Sequence, residues 1–169
     1  MTGIVVADAG PLIGLARARR LELLQRLYDS AWIPPAVRDE LQVSSKRPGA
    51  SRLESALASG WLEIHDLPES TDTSLTRLAP LVDAGEAEAI VLAERIEGRF
   101  LLIDDWRGRS IAKRRGVPVV GVAGILLAAK QHGLIDAVLP VMHELAQQGY
   151  RLSSRLVHEI ARLADEPTG

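Results

Sequence analysis

Three short runs constrain this chain more than any other feature: IVVAD (Ile4 to Asp8), FLLID (Phe100 to Asp104) and VPVVGV (Val117 to Val122). Each is apolar almost throughout instead of alternating apolar with polar. That is the pattern of a strand buried on both faces, and such strands belong to parallel sheets with helices packed on either side. Two of the three also end on an acid.

The segments between these runs have a helical period. After Pro11, Leu12, Leu15, Leu21, Leu24 and Leu27 mark one or two short helices reaching Tyr28. AWIPP (Ala31 to Pro35) reads as a strand whose prolines open a helix through AVRDELQ. SSKRPGAS is a loop, followed by a helix to Ser59 and a strand in WLEIHDL; DLPESTDTS reads as another loop. A helix starting near Gly85 carries Ala87, Ile90, Val91 and Ala93, and WRGRSIAKRRG is a helix closed by Gly116. GILLAAKQHG is a further helix. From Leu134 to Ala164 two amphipathic stretches follow, the second with Ser153 or Ser154 as N-cap.

Strand and helix alternate, so the expected class is α/β: three layers, with a central, mostly parallel sheet between helices. Nothing repeats, and no linker is long enough to divide 169 residues into separate bodies. The expected organisation is an α/β unit over residues 1–135 and a helical extension over 136–169 packed on the same domain. In that extension Leu139, Met142 and Leu145 form an apolar stripe, a feature more often core than interface.

Composition excludes several kinds of chemistry. The chain has no cysteine, which removes disulfides, thiolate metal sites and cysteine nucleophiles and leaves oxygen and imidazole as metal ligands. No run reaches the ~18 to 20 apolar residues of a membrane span, and the first residues lack the basic and cleavage pattern of a signal peptide. A cytoplasmic location without membrane contact is therefore expected. The net charge of −2 gives no overall basic field, but cations collect at Arg107, Arg109, Lys113, Arg114 and Arg115, and again at Arg17, Arg19, Arg20 and Arg26. Either cluster alone is ordinarily a solvated helix face.

In an open parallel sheet, ligands bind at the carboxyl ends of the strands. Asp8 ends the first strand, and Asp104 and Asp105 end FLLID. Glu40 lies in the helix after the second strand, and Glu86 and Glu88 lie in the first turns of another. Each has an ordinary explanation when taken singly: an acid after a strand caps a helix, and a glutamate in a first turn favours the helix dipole. Together at one sheet edge they would repel one another and raise their pKa values unless a cation sat between them. An all-oxygen site suits Mg²⁺ or Mn²⁺ and a substrate that carries phosphate.

The order VADAGPLIGL, WIPPAVRDEL, DAGEAEAIVLA and LLIDDWRGRSIAKRRGVPVVGVAGILLAAKQHGLI resembles the PIN-domain family, in its DUF3368 branch, up to about Ile135. This family comprises small metal-dependent ribonucleases that include the VapC toxins of VapBC-type toxin-antitoxin pairs. The resemblance implies Asp8, Glu40, Glu86 and Asp104 as catalytic acids, with Asp8, Glu40 and Asp104 holding Mg²⁺ or Mn²⁺. Glu88 is the close alternative to Glu86, and Asp105 is an auxiliary acid. Arg107, Arg109 and Lys113 lie on the helix that follows FLLID, where they would contact RNA phosphates. The resemblance further implies RNA as partner, a small antitoxin protein and a homodimer. Where many members carry serine or threonine two places after the first acid, this chain has Gly10, and a glutamate stands for the more usual third aspartate.

Competing readings stay open. A phosphatase that forms an aspartyl phosphate would need a second acid two residues after Asp8, where Gly10 stands, and a receiver domain would need its acids and lysine in another order. A catalytically weak or inactive PIN-like module that binds nucleic acid or protein would keep the fold without the cleavage. The four histidines lie outside the acid-bearing segments, and no serine has a recognisable His and acid partner motif. Trp32, Trp61 and Trp106 read as core fillers; Trp106, beside the acid pair, is the only one with a stacking platform for a base as the alternative to packing.

Overall fold

The structure, a computed structural model, describes residues 3–168. Five parallel strands form its centre: β1 (Val5–Ala7), β2 (Ala31–Ile33), β3 (Leu62–Ile64), β4 (Phe100–Leu102) and β5 (Val119–Val120), in the spatial order β3-β2-β1-β4-β5. Val5 is aligned with Ala31 on one side and with Phe100 on the other. The chain first builds outward from β1 through β2 to β3, then returns to the opposite side of β1 for β4 and β5. The strand order therefore reverses between β1 and β4, and a crevice opens there at the carboxyl ends of the strands. The ladder continues past the strands, with Asp8 N–H donating to Leu102 O at 2.9 Å and Ile103 N–H to Val120 O at 3.0 Å. The two acid-bearing strand ends are thereby fixed side by side.

The helices α1 (Ala9–Arg17), α2 (Glu22–Tyr28), α3 (Pro35–Leu41), α4 (Ala50–Ser59), α5 (Asp72–Leu78), α6 (Ala84–Arg95), α7 (Trp106–Arg114), α8 (Val122–Gln131), α9 (Leu139–Gln147) and α10 (Ser154–Leu163) cover the sheet. Val5, Val6, Leu101 and Leu102 are fully buried, as the unbroken apolar strands require. Pro11 lies in the first turn of α1, which begins at Ala9; a missing N–H costs nothing there, because first-turn donors have no helical acceptor. The Ser153 hydroxyl accepts from Leu156 N–H and caps α10.

One expected loop is partly helical. DLPESTDTS contains a 3₁₀ turn at Glu69–Thr71 and the start of α5. Its polar composition hides this, because the deciding contacts are tertiary: Leu78 is buried in the core and Leu75 packs against it; the buried Thr71 hydroxyl adds a local hydrogen bond to Pro68 O at 2.6 Å.

Among the ties between the C-terminal helices and the body is the Glu166 carboxylate. Glu166 accepts from Val138 N–H at 2.8 Å and Leu139 N–H at 3.0 Å, capping α9, and pairs with Lys130 Nζ of α8 at 2.9 Å. Met142 and Leu145 are buried in the core and Leu139 packs against it, so the apolar stripe of α9 faces inward. Among the described residues no helix is long and apolar enough to cross a membrane.

Candidate functional site

Asp8 follows β1 directly and occupies the N-cap position of α1 without using its side chain as a cap. It is 7% exposed, and its Oδ1 is buried with no hydrogen-bond partner. Burial pushes its carboxyl up to about 7; the Ala9 N–H opposes this, while the charges of Glu86, Glu40 and Asp83 reinforce it. A carboxylate with an orphaned oxygen in the field of three others is an unfavourable arrangement unless a cation meets it.

Glu40 and Glu86 come to Asp8 from two different helices. Glu40 lies in the last turn of α3, which packs against α6. Its carboxylate rests on the bare Cα of Gly85 and accepts the Gly85 N–H, so the start of α6 holds it in place. A Cβ at position 85 would collide with Glu40 Oε1. Burial and the Asp83 charge raise the Glu40 carboxyl. Asp83 and Glu86 form a capping box: Asp83 Oδ1 accepts from Glu86 N–H at 2.8 Å, and Glu86 Oε2 accepts from Asp83 N–H at 3.2 Å. Burial raises Glu86 to about 7, and the charges of Asp83, Asp105 and Glu40 add to the effect.

Asp104, beyond β4, is held from the opposite side. Its Oδ2 accepts the Val122 N–H at 3.0 Å and the Tyr150 hydroxyl, and its Oδ1 lies against the bare Cα of Gly121. Tyr150 arrives from the segment between α9 and α10, its ring packed on Gly14 of α1. Burial, then the neighbouring Asp104 charge, pushes its hydroxyl well above its ordinary value, so it serves as a donor. Arg109 turns inward, donating to Ile103 O at 2.8 Å, and its charge reaches Tyr150.

A family model for DUF3368, described as a PIN domain, matches residues 4–166. The chain belongs to the PIN-domain family. PIN domains are generally nucleases that bind nucleic acid and use divalent metal ions. Comparison with curated proteins returns no match. The family match runs on through α9 and α10, beyond the stretch near Ile135 where the resemblance in sequence stops being evident, and Tyr150 lies in this added part.

The acids of this PIN domain divide into two groups. Asp8, Glu40, Asp83 and Glu86 share one electrostatic field, and Asp105 reaches Glu86. Asp8 and Asp104 both act on Tyr150, which connects the second side of the site to the first. Glu88 points elsewhere: its carboxylate accepts from Ala36 N–H at 3.2 Å, at the start of α3. Asp105 caps α7, accepting from Gly108 N–H at 2.8 Å. Lys113 stands exposed in the last turn of α7, and Arg107 is exposed with a long 3.5 Å hydrogen bond to Leu81 O.

Two residues at the site were missed in sequence. Asp83 had a readable signal, since an acid three residues before Glu86 is a capping-box pattern. Tyr150 had none, because nothing local ties a tyrosine in a C-terminal connection to a strand end 46 residues earlier. The packing role expected of Trp106 is also corrected: its side chain is 80% exposed. Trp61 is buried as expected, and Trp32 stacks on His65 with ring centroids 3.4 Å apart.

The donor set fits a hard divalent cation. Its oxygens are carboxylates, two of them raised to about 7 largely by burial, and Asp8 Oδ1 is a buried acceptor with nothing to accept. Among the described residues no three such side chains converge closely enough to enclose an ion as they stand. Waters and substrate oxygens would complete the shell, as is usual for Mg²⁺.

Proposed function

We propose that this PIN domain is a metal-dependent endoribonuclease that hydrolyses RNA phosphodiester bonds. The observation that carries the reading is the orphaned, buried Oδ1 of Asp8, set among Glu86, Glu40 and Asp83 at the point where the strand order reverses. Asp8, Glu40 and Asp104 would hold Mg²⁺ or Mn²⁺. Such an ion, when bound, lowers the pKa of a water and offsets charge on a phosphate.

The chain's own residues supply position and proton acceptors. Gly85 N–H orients Glu40, and Val122 N–H and Tyr150 orient Asp104. Glu86, with a carboxyl near neutrality, is placed to accept a proton from the attacking water, and Asp105 stands behind it. Arg107 and Lys113 offer charge to the RNA backbone, with affinity that falls as salt rises. The family setting extends the proposal to the toxin of a VapBC-type pair, held by a small antitoxin and acting as a homodimer in the cytoplasm.

A second reading is a module that binds RNA or protein without cutting; Gly10, which supplies no hydroxyl beside Asp8, favours it. The test is cleavage of a mixed single-stranded RNA by the intact protein with Mg²⁺ or Mn²⁺, against Asp8→Asn and against chelator. Cleavage lost in both controls supports the nuclease. Equal cleavage by the parent and Asp8→Asn would overturn the assigned site, and RNA binding without cleavage by the parent would leave the module.

A further inference from the structure

We infer that Trp106 is a stacking platform for an unpaired nucleobase next to the scissile phosphate; this rests on the ribonuclease reading above. Trp106 is the first residue of α7, directly after Asp105, whose carboxylate caps that helix. The indole is thus carried on a fixed backbone yet is 80% exposed. It borders an open cavity of about 530 Å³ that is also lined by Asp83, Glu86 and Asp105 of the acid site and by Leu81, itself 46% exposed. Arg107 lies on the same rim.

Charge decides what enters this cavity. Three carboxylates line it, so a phosphate is repelled everywhere except beside Arg107. A nucleobase brings an uncharged π-face that the indole accepts whatever its sequence. With the base on Trp106, its own phosphate would lie beside Arg107, the neighbouring residue on the same rim. A base inside a duplex has both faces covered by its neighbours and cannot stack this way.

A protein occupant fits less well. Protein hot spots sit at the centre of a dry apolar patch. Here Trp106 and Leu81 are two of the four large apolar side chains that stand exposed among the described residues, and the remainder of the rim is largely charged.

The test measures binding of a fluorescent single-stranded RNA oligonucleotide, the same strand in a duplex, and the same strand with one abasic site. Asp8→Asn protein serves as the uncut background for RNA binding, and Mn²⁺ affinity is read in proteins that keep Asp8. Trp106→Ala should weaken the single strand by about 5- to 150-fold, the equivalent of one stacked base. Trp106→Phe should keep most of the affinity, the duplex should change little, and Mn²⁺ affinity should not move. The intrinsic fluorescence lost on RNA addition should disappear in Trp106→Phe. Unchanged single-strand affinity in Trp106→Ala would overturn the inference, as would equal losses for duplex and single strand. A sedimentation shift showing that Trp106→Ala breaks a dimer would also overturn it by assigning the indole to a second copy. If the parent cuts RNA while these variants bind as it does, the stacking inference alone fails. If the parent neither binds nor cuts RNA, the nuclease reading fails and takes the platform with it.

Discussion

Tyr150 donates its hydroxyl to the same Oδ2 of Asp104 that accepts the Val122 N–H. The contact joins the C-terminal segment to the end of β4, so the last part of the chain contributes to the site as well as to the core. Tyr150→Phe removes this donor while the ring stays packed on Gly14. The expected stability loss is that of one charge-assisted hydrogen bond, about 1.5–3 kcal/mol, read from urea unfolding. Divalent affinity measured by Mn²⁺ calorimetry should fall ~10- to 100-fold, as for other residues that orient a ligand. Full Mn²⁺ affinity in this variant would show that Asp104 does not depend on Tyr150 for its orientation.

Gly85 and Gly121 serve the acids in a way that separates activity from folding. Each leaves room for a carboxylate oxygen, Glu40 Oε1 and Asp104 Oδ1 respectively, where a Cβ would intrude. Gly121 has φ −96°, which any residue adopts, and Gly85 lies inside α6, so neither glycine is needed for backbone conformation. Gly85→Ala should gain about 1 kcal/mol of helix propensity and still lose most RNA cleavage as Glu40 is displaced. Thermal melting and a cleavage assay on the same preparation check both halves. Parental activity in Gly85→Ala would remove Glu40 from the site.

The cations after β4 divide by direction. Arg109 supports the backbone through Ile103 O, whereas Lys113 is exposed. Arg109→Ala should therefore lower stability, by about 1–3 kcal/mol for an unsatisfied acceptor near the site. Lys113→Ala should leave the melting temperature alone and flatten the dependence of RNA affinity on salt by roughly one phosphate contact. Identical behaviour of the two variants would contradict the geometry.

The layered parallel sheet was legible because β1 and β4 write their burial directly into unbroken apolar runs; β5, read from the same kind of run as a strand buried on both faces, is a half-buried edge strand. Asp8 and Asp104 were legible for the same reason, since a carboxylate directly after such a run lies at the ligand-binding edge of the sheet. Helix α5 was not, because its polar sequence folds on the strength of contacts with distant residues. Glu88 and Glu86 looked equivalent, two residues apart; only the packing of α3 on α6 sends Glu88 to the start of α3 and Glu86 to the acid group. Arg109 and Arg107 are likewise two residues apart on α7, and one faces the backbone while the other faces the rim. Tyr150 is the extreme case, a site residue supplied by a segment whose sequence indicates packing alone.

Gly10 can be tested by filling it. A Cβ there meets nothing within 4 Å, and the residue lies exposed in the first turn of α1. Gly10→Ser should fold without strain and gain a few tenths to ~1 kcal/mol from reduced backbone freedom. It would also place a hydroxyl two positions after Asp8. Cleavage equal to or above the parent's is expected; a severalfold loss would mean that the open space at residue 10 is needed by the substrate.

The raised pKa of Asp8 gives the metal-free protein a defined response to pH. Its carboxyl titrates near 3.8 in the unfolded chain and at about 7 in the folded one. Between those values the folded state binds the extra proton, so this stabilising contribution is complete below about pH 4 and is lost as pH rises through 7. At 1.36 kcal/mol per pH unit the loss amounts to at most about 4 kcal/mol, and Glu86 acts in the same direction to a smaller extent because it is better solvated. Asp8→Asn mimics the protonated form and does not titrate. In chelator, parent and variant should therefore unfold at similar urea concentrations at pH 4, and the variant should be the more stable at pH 8. Adding Mn²⁺ at pH 8 should narrow that gap by stabilising the parent selectively. A parent that gains stability between pH 4 and 8 relative to Asp8→Asn would show that the Asp8 carboxylate is compensated within the protein and has no need of a cation.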